Sequence, residues 1–173
     1  MDQQPLKYNP KCGYVFNTNN TPFHCTMPEE NVIPANFNKQ SAFDWNRINN
    51  RELRFYELMQ NKKKISFEDF KAIKYDCSYP TKQGGVYRLF KPIYGLQESR
   101  YPDIADAITR LKGWNFSGAA DNHTAALVSL TFNYLFRKKN AGYNELETGF
   151  DYSTEDRLEA IRYAKNYLIK YHS

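Results

Sequence analysis

Hydrophobic positions recur at helical spacing over most of the chain from Ser41 onward, and this periodicity predicts a mainly α-helical domain. The first predicted helix follows Ser41. The second begins at Ser66, because a serine followed three residues later by an acid, here Asp69, is typical of a helix start. The positions expected to face the core in these two helices are Ile48, Phe55, Leu58, Met59, Phe70, Ile73 and Cys77.

Three further helices are predicted after an irregular stretch that runs from Pro80 to Pro102. They begin at Asp103, Asp121 and Ser153, and the stem of Lys165 in the last helix is expected to run along the rim of the core. The expected core positions are Ile104, Ala107, Ile108, Leu111, Ala125, Val128, Phe132, Leu135, Leu158, Ile161 and Leu168.

The first 40 residues have a different texture, with five prolines and many asparagines. Proline lacks the amide donor and clashes with the preceding helical turn, so this stretch is not predicted to be helical. Its best regular piece is "GYVFN", residues 13–17, which predicts a short β-strand. The predicted organisation is an extended arm over residues 1–40, with this strand and the asparagine motif, and a helical domain of about five helices over residues 41–173.

Composition excludes several classes of protein. Of 173 residues, 41% are hydrophobic and 16% aromatic, which is too many for a disordered chain. No apolar run reaches the roughly 20 residues needed to span a bilayer, and the N-terminus "MDQQPLKYNP" does not resemble a signal peptide.

The three cysteines show no C-x-x-C spacing, and the adjacent pair His24-Cys25 is not a plausible metal site. No cofactor, metal or membrane partner is therefore expected. The net charge of +5 permits binding to nucleic acid without arguing for it. The densest basic cluster, Lys62–Lys64, is interpreted as a solvated loop between helices, and nucleic-acid binding there is kept only as a third alternative.

The sequence lacks a complete catalytic set, because none of its three histidines lies in a recognised catalytic motif. It does contain a candidate for one part of such a set, an oxyanion-stabilising group, in "NTNNTP", residues 17–22. An asparagine amide held rigidly by a tight turn could donate a hydrogen bond to a tetrahedral oxyanion. The alternative interpretation is a purely structural polar turn.

The stretch "NPKCGYVFNTNNTP", residues 9–22, resembles a motif of the penicillin acylase family of N-terminal-nucleophile hydrolases, N-P-x-x-G-[YF]-[IV]-x-N-x-N-N-x-P. The likeness continues in "RELRFYELMQNKKKISFEDFKAIKYD", which is similar to the family's arginine-bearing helix, basic turn, capped helix and aspartate. "ITRLKGWNFSGAADNHTAALV" is similar to its L-x-x-W-[DN]-G segment, although Phe116 stands where glycine is common.

This resemblance implies an amide hydrolase that cleaves an acylated small molecule. In the family a serine at the start of the beta subunit attacks the carbonyl, its α-amine acts as the base, and an asparagine amide joins a backbone N–H in the oxyanion hole. By position, Asn19 corresponds to that asparagine and Arg51 to the active-site arginine that keeps the site in order. Arg54 is the fallback if the register slips by one turn. The resemblance also implies a periplasmic or exported location.

The chain departs from the family at its start, Met1-Asp2, where no nucleophile stands. We therefore expect an internal fragment of the beta subunit, inactive alone, whose partners are the nucleophile-bearing segment and the alpha subunit of an acylase. The alternative is a non-enzymatic helical module that binds another protein.

Overall fold

The structure is a computed structural model that describes residues 5–37, 48–138 and 152–172. These residues are mainly helical. They form six α-helices and four short 3-10 turns, in two compact units, Met1–Asp76 and Cys77–Ser173. The α-helices are α1 (Asn50–Met59), α2 (Phe67–Lys74), α3 (Gly85–Phe90), α4 (Ala105–Lys112), α5 (Ala125–Lys138) and α6 (Thr154–His172).

The first unit combines an extended, looped segment with α1 and α2. Two 3-10 turns, Pro28–Glu30 and Pro34–Asn36, are the helical pieces described in that segment. Aromatic rings join it to α1, since the rings of Phe16 and Phe55 stack with centroids 4.2 Å apart. Offset stacking of this kind adds to the free energy gained from burying both rings.

The second unit contains α3 to α6 and a continuous apolar core. Helices α5 and α6 pack along each other, and α4 contacts both. The stripes predicted for the last three helices supply much of this core, including Ile108, Leu111, Leu135 and Ile161, all almost fully buried. Lys165 lies at the rim, where its Nζ donates to the carbonyl oxygen of Asp103 at 2.8 Å.

The mainly helical prediction is confirmed, whereas the count of five helices and the short strand are not. Residues 13–17 are extended without a ladder, and Phe16 donates one backbone hydrogen bond to the carbonyl of Cys25 at 2.9 Å. The stretch predicted to be irregular contains α3, whose Val86, Leu89 and Phe90 are buried at helical spacing. Its glycine start and the following proline concealed a helix of under two turns.

The helix starts were predicted unevenly. Ser66 and Asp69 form the expected reciprocal cap of α2, and each donates a backbone N–H to the other's side chain. Helix α1 begins at Asn50, and the predicted start near Ser41 lies outside the described residues. The apolar stripe of α2 is largely exposed, with Phe70 at 53%. The division at residue 40 stays a prediction.

The loop after α4 contains a backbone conformation that is unusual for its residue. Phe116 has φ +62°, in the left-handed region, yet its ring is buried and lies 4.8 Å from the ring of Trp114. This is the position where the resemblance led us to expect glycine, the residue that adopts this conformation without strain. The backbone therefore keeps a glycine-like geometry while packing an aromatic ring.

Within the three described ranges, no helix combines the length and the apolar character that crossing a bilayer requires.

Candidate functional site

The candidate site is built on the asparagine loop, which we define as residues 17–25. Neighbouring amides hold its backbone. The side-chain oxygen of Asn17 accepts the N–H of Asn19 at 2.8 Å, and that of Asn20 accepts the N–H of Thr18 at 2.5 Å. The amide nitrogen of Asn20 donates to the carbonyl of His24. Asn17 and Asn20 are therefore occupied in shaping the loop.

Asn19 differs from the other two asparagines. Its backbone is left-handed, with φ +63°, a conformation that asparagine tolerates better than most residues. Its side chain is exposed, and no residue of the described ranges hydrogen-bonds to its amide. The amide nitrogens of both Asn17 and Asn19 therefore have no partner among the described residues, and Asn19 is the one whose side-chain oxygen has none either. The amide of Asn19 faces solvent, so the described residues do not enclose it in a cleft.

One side chain at the start of α1 anchors the front of the asparagine loop. Asn49 accepts the N–H of Glu52 at 2.9 Å and so caps the helix, while its amide donates to the carbonyl of Thr18 at 3.2 Å. The residue before Asn19 is therefore attached to the helix end that carries Arg51.

An ion pair anchors the far end of the same loop. Nδ1 of His24 lies 3.1 Å from Oε1 of Glu52, whose side chain is almost fully buried. The contact with Glu52 raises the pKa of His24, and partial burial opposes that rise. The other carboxylate oxygen of Glu52 is buried without a hydrogen-bond partner among the described residues. His24 is thus the charge partner that the buried carboxylate has in this part of the chain.

The two candidate arginines have different surroundings. Arg54 makes a two-pronged contact with Asp76, Nε to Oδ1 at 2.9 Å and the second nitrogen to Oδ2 at 3.0 Å, and it also contacts Glu57 at 3.1 Å. The hydrogen bond to Asp76 is the main reason why the pKa of Arg54 is raised. Arg51 is exposed and makes no ion pair with a described residue. No direct contact joins Arg51 to Asn19 in the described residues.

Sequence reasoning placed Asn19 and Arg51 in the site but missed the role of Glu52 and His24. Glu52 stands three residues after Asn49, so its position matches an ordinary helix cap. The sequence pattern is the same whether such an acid is exposed at the helix start or, like Glu52, buried beneath a loop. His24 was set aside because it belongs to no catalytic motif.

The other candidate features do not form a second catalytic set. Lys62 of the basic turn is paired with Asp69 at 2.8 Å. In the second unit, a groove of about 630 Å³ between α5 and α6 is lined by three tyrosines, Arg137 and Lys138. Lys138 is committed to Asp156 at 2.9 Å. Among the described residues, no three His, Cys, Asp or Glu side chains are grouped so that they could hold a metal ion.

A family model described as "Penicillin amidase" matches residues 1–168, which is nearly the whole chain. No curated protein and no solved structure matches the chain. The matched range includes the first unit, the second unit up to residue 168 and every residue of the asparagine loop.

Proposed function

The chain belongs to the penicillin amidase family, an amidohydrolase family, and from this we propose that it supplies the oxyanion donor Asn19 and the positioning arginine Arg51 to an amide-hydrolysing site. The observation that supports the proposal is the contrast within the asparagine loop. Asn20 uses both its oxygen and its nitrogen within the loop and Asn17 uses its oxygen, while the side chain of Asn19 makes no hydrogen bond to a described residue. A donor that must bind a transient oxyanion has to be uncommitted in the resting state.

The surroundings of the two arginines support Arg51 over Arg54. Arg54 is bound by two carboxylates, and moving it toward a substrate would break a two-pronged contact. Arg51 lies in the first turn of α1, directly beside Glu52 and close to Asn49, the two side chains that anchor the loop. We therefore assign Arg51 the role of keeping the site in order.

The nucleophile and the enclosing wall of the site come, in this proposal, from the remainder of an acylase chain in an exported compartment. Two observations support a missing partner. The amide of Asn19 is exposed, and α2 leaves Phe67 and Phe70 exposed at 72% and 53%. The substrate is an acylated small-molecule amide, and the chain alone is expected to be inactive.

The test is reconstitution. The chain is combined with the nucleophile-bearing segment and alpha subunit of a penicillin acylase, and hydrolysis of a chromogenic phenylacetyl amide is followed. Turnover should require both components. Asn19→Asp keeps the size of the side chain and tolerates the left-handed backbone, but it replaces the donor with a negative charge. It should lower kcat by about 100- to 1,000-fold, the usual effect of losing an oxyanion donor.

A matched control is available on the same unit. Asn61 is also exposed and left-handed, with φ +67°, so Asn61→Asp makes the same chemical change outside the proposed site. It should leave turnover unchanged. Equal effects of the two substitutions, or a rate for Asn19→Asp within a few-fold of the unmodified chain, would remove Asn19 from the site. Stable binding of a partner without turnover and without dependence on Asn19 would favour the non-enzymatic interaction module.

A further inference from the structure

We propose that His24 and Glu52 are a pair of positioning residues that holds the asparagine loop against the first turn of α1 while His24 is protonated. The proposal rests on the assignment of Asn19 above for its functional meaning, although the holding itself is a property of this unit alone. Neither residue touches the reacting atoms. They act through the loop that presents Asn19 and through the helix turn that carries Arg51.

The geometry places Asn19 between two anchors. The carbonyl of Thr18, one residue before it, accepts from Asn49, and the imidazole of His24, five residues after it, contacts Glu52. Between the anchors the loop is closed on itself, because the amide of Asn20 donates to the carbonyl of His24. Releasing His24 from Glu52 would remove the contact of the far end with the first turn of α1, although Cys25 would stay bonded to Asn31 and Phe16. The Asn49 contact near Asn19 would then be the hydrogen bond that still joins the loop to that turn.

The contact between His24 and Glu52 depends on the charge of His24, because few other groups offset the cost of burying the Glu52 carboxylate. Its side chain is 1% exposed, and its second oxygen has no hydrogen-bond partner in the described residues. A buried carboxylate that loses its cationic partner keeps the cost of its desolvation without the offsetting attraction. Nδ1 of His24 is itself buried without a well-aligned hydrogen bond to a described residue, so the contact depends on the charge of the imidazolium, which a neutral imidazole does not supply.

The other titratable groups near this pair do not change charge in the same range of pH. Burial raises the pKa of Tyr14 and of Tyr56 to about 12, and burial also raises the pKa of the Cys25 thiol. All three are therefore neutral around pH 7. Among the described residues, the titration of His24 against Glu52 is the charge change that the loop experiences near neutrality.

The sign of the pH dependence follows from the raised pKa of His24. The attraction is fully present below the ordinary histidine pKa of about 6.5, and it is lost as the pH rises through the higher value in the folded chain. The asparagine loop should therefore be held more tightly in mildly acidic than in alkaline solution.

The experiment measures the loop in the 173-residue chain without substrate. Amide hydrogen exchange is followed at Phe23 and His24, whose N–H groups bond to Thr21 within the loop, and rates are corrected for the intrinsic effect of pH. The N–H of Phe70 in α2, bonded to Ser66, serves as the reference in the same unit. The imidazole of His24 is titrated in parallel by NMR.

We expect protection of the loop amides to fall by about tenfold or more through the midpoint of the His24 titration, because the buried carboxylate of Glu52 then loses its charge partner. The reference amide should show no step at that midpoint. Glu52→Gln and His24→Gln should abolish the step and leave the loop weakly protected at every pH. His123→Gln, at an exposed histidine of the other unit, should leave the step in place.

Two results would overturn the proposal. One is an unmodified chain whose loop protection shows no step near the His24 midpoint, a measurement that needs no variant to fold. The other is a step that persists in Glu52→Gln. Because no substrate is used, this experiment is independent of the reconstitution assay. A pH step together with an inactive reconstituted enzyme would leave the pair intact and reject only the assignment of Asn19.

Discussion

Replacing Phe116 with glycine and with alanine should reveal how much strain the left-handed backbone at this position stores. Phe116 has φ +62°, while its ring is 8% exposed and packs against Trp114 and Tyr87. Two effects therefore oppose each other. Removing the ring costs about 3–5 kcal/mol of unfolding free energy. Removing Cβ relieves about 1–2 kcal/mol, because glycine alone adopts this conformation freely.

The comparison of the two substitutions separates these effects. Phe116→Ala loses the ring and keeps the strain, so it should destabilise the second unit by about 3–5 kcal/mol. Phe116→Gly loses the same ring but relieves the strain, so it should be the less damaging of the two by about 1–2 kcal/mol. In both variants the free energy lost with the ring exceeds any free energy gained by relieving backbone strain. The unmodified chain should therefore remain the most stable.

Phe90 offers a matched control. It is 1% exposed and contacts Trp114 from α3, but its backbone is helical, with φ −87°. At a helical position glycine is worse than alanine by about 1 kcal/mol, so the order of the two substitutions should be reversed at Phe90.

The assay is urea unfolding followed by tryptophan fluorescence. The chain has two tryptophans, so Trp45 is replaced by phenylalanine in all samples and Trp114 reports on its own surroundings. Stabilities are compared from midpoints at a common slope. If glycine is as damaging as alanine at Phe116, or more so, the left-handed backbone stores no strain and this reasoning is refuted.

Two further predictions concern contacts within one unit. Arg54→Lys removes the planar fork that binds both oxygens of Asp76, so the first unit should lose about 1 kcal/mol of stability in urea unfolding. An unchanged midpoint would show that the fork contributes nothing beyond its charge. Gly118→Ala places a Cβ 3.0 Å from the backbone oxygen of Cys77, and the second unit should lose about 1–3 kcal/mol by the same measurement. An unchanged midpoint for Gly118→Ala would mean that the backbone segments joined by the Ser78–Ser117 bridge can separate without loss of unfolding free energy.

Local pattern was enough to predict several elements because their cause is local. The helix start at Ser66 was predicted correctly because the reciprocal cap is defined by two residues three positions apart. The apolar stripes of α4, α5 and α6 were predicted because helical periodicity alone decides which face is buried. Helix α3 was missed because six residues between glycines and a proline give too few repeats to establish a period.

The short strand was predicted wrongly for a different reason. Residues 13–17 have the alternation and the β-branched and aromatic content of a strand, but a strand also needs a partner along its edge. In the described residues the extended segment meets its neighbour through a single backbone hydrogen bond, from Phe16 to Cys25. Its aromatic side chains pack on α1 instead, and that choice depends on residues 40 positions away.

In the candidate site, too, the features with local causes could be predicted and those that depend on distant residues could not. The asparagine motif predicted that the loop would be shaped by its own amides, and Asn17 and Asn20 do shape it. The anchoring of the loop could not be predicted, because Asn49 and Glu52 lie about 30 residues away and their spacing matches an ordinary helix start.

That ambiguity has a physical consequence for the site. The side chain of Asn49 both caps α1 and holds the loop. Glu52 also contacts the loop, and its backbone N–H donates to the side chain of Asn49. Arg51 lies between these two residues in the chain. A displacement of the helix end would therefore move both anchors and the arginine together. The relative placement of Asn19 and Arg51 thus depends on the first turn of α1 more than on any direct contact between them.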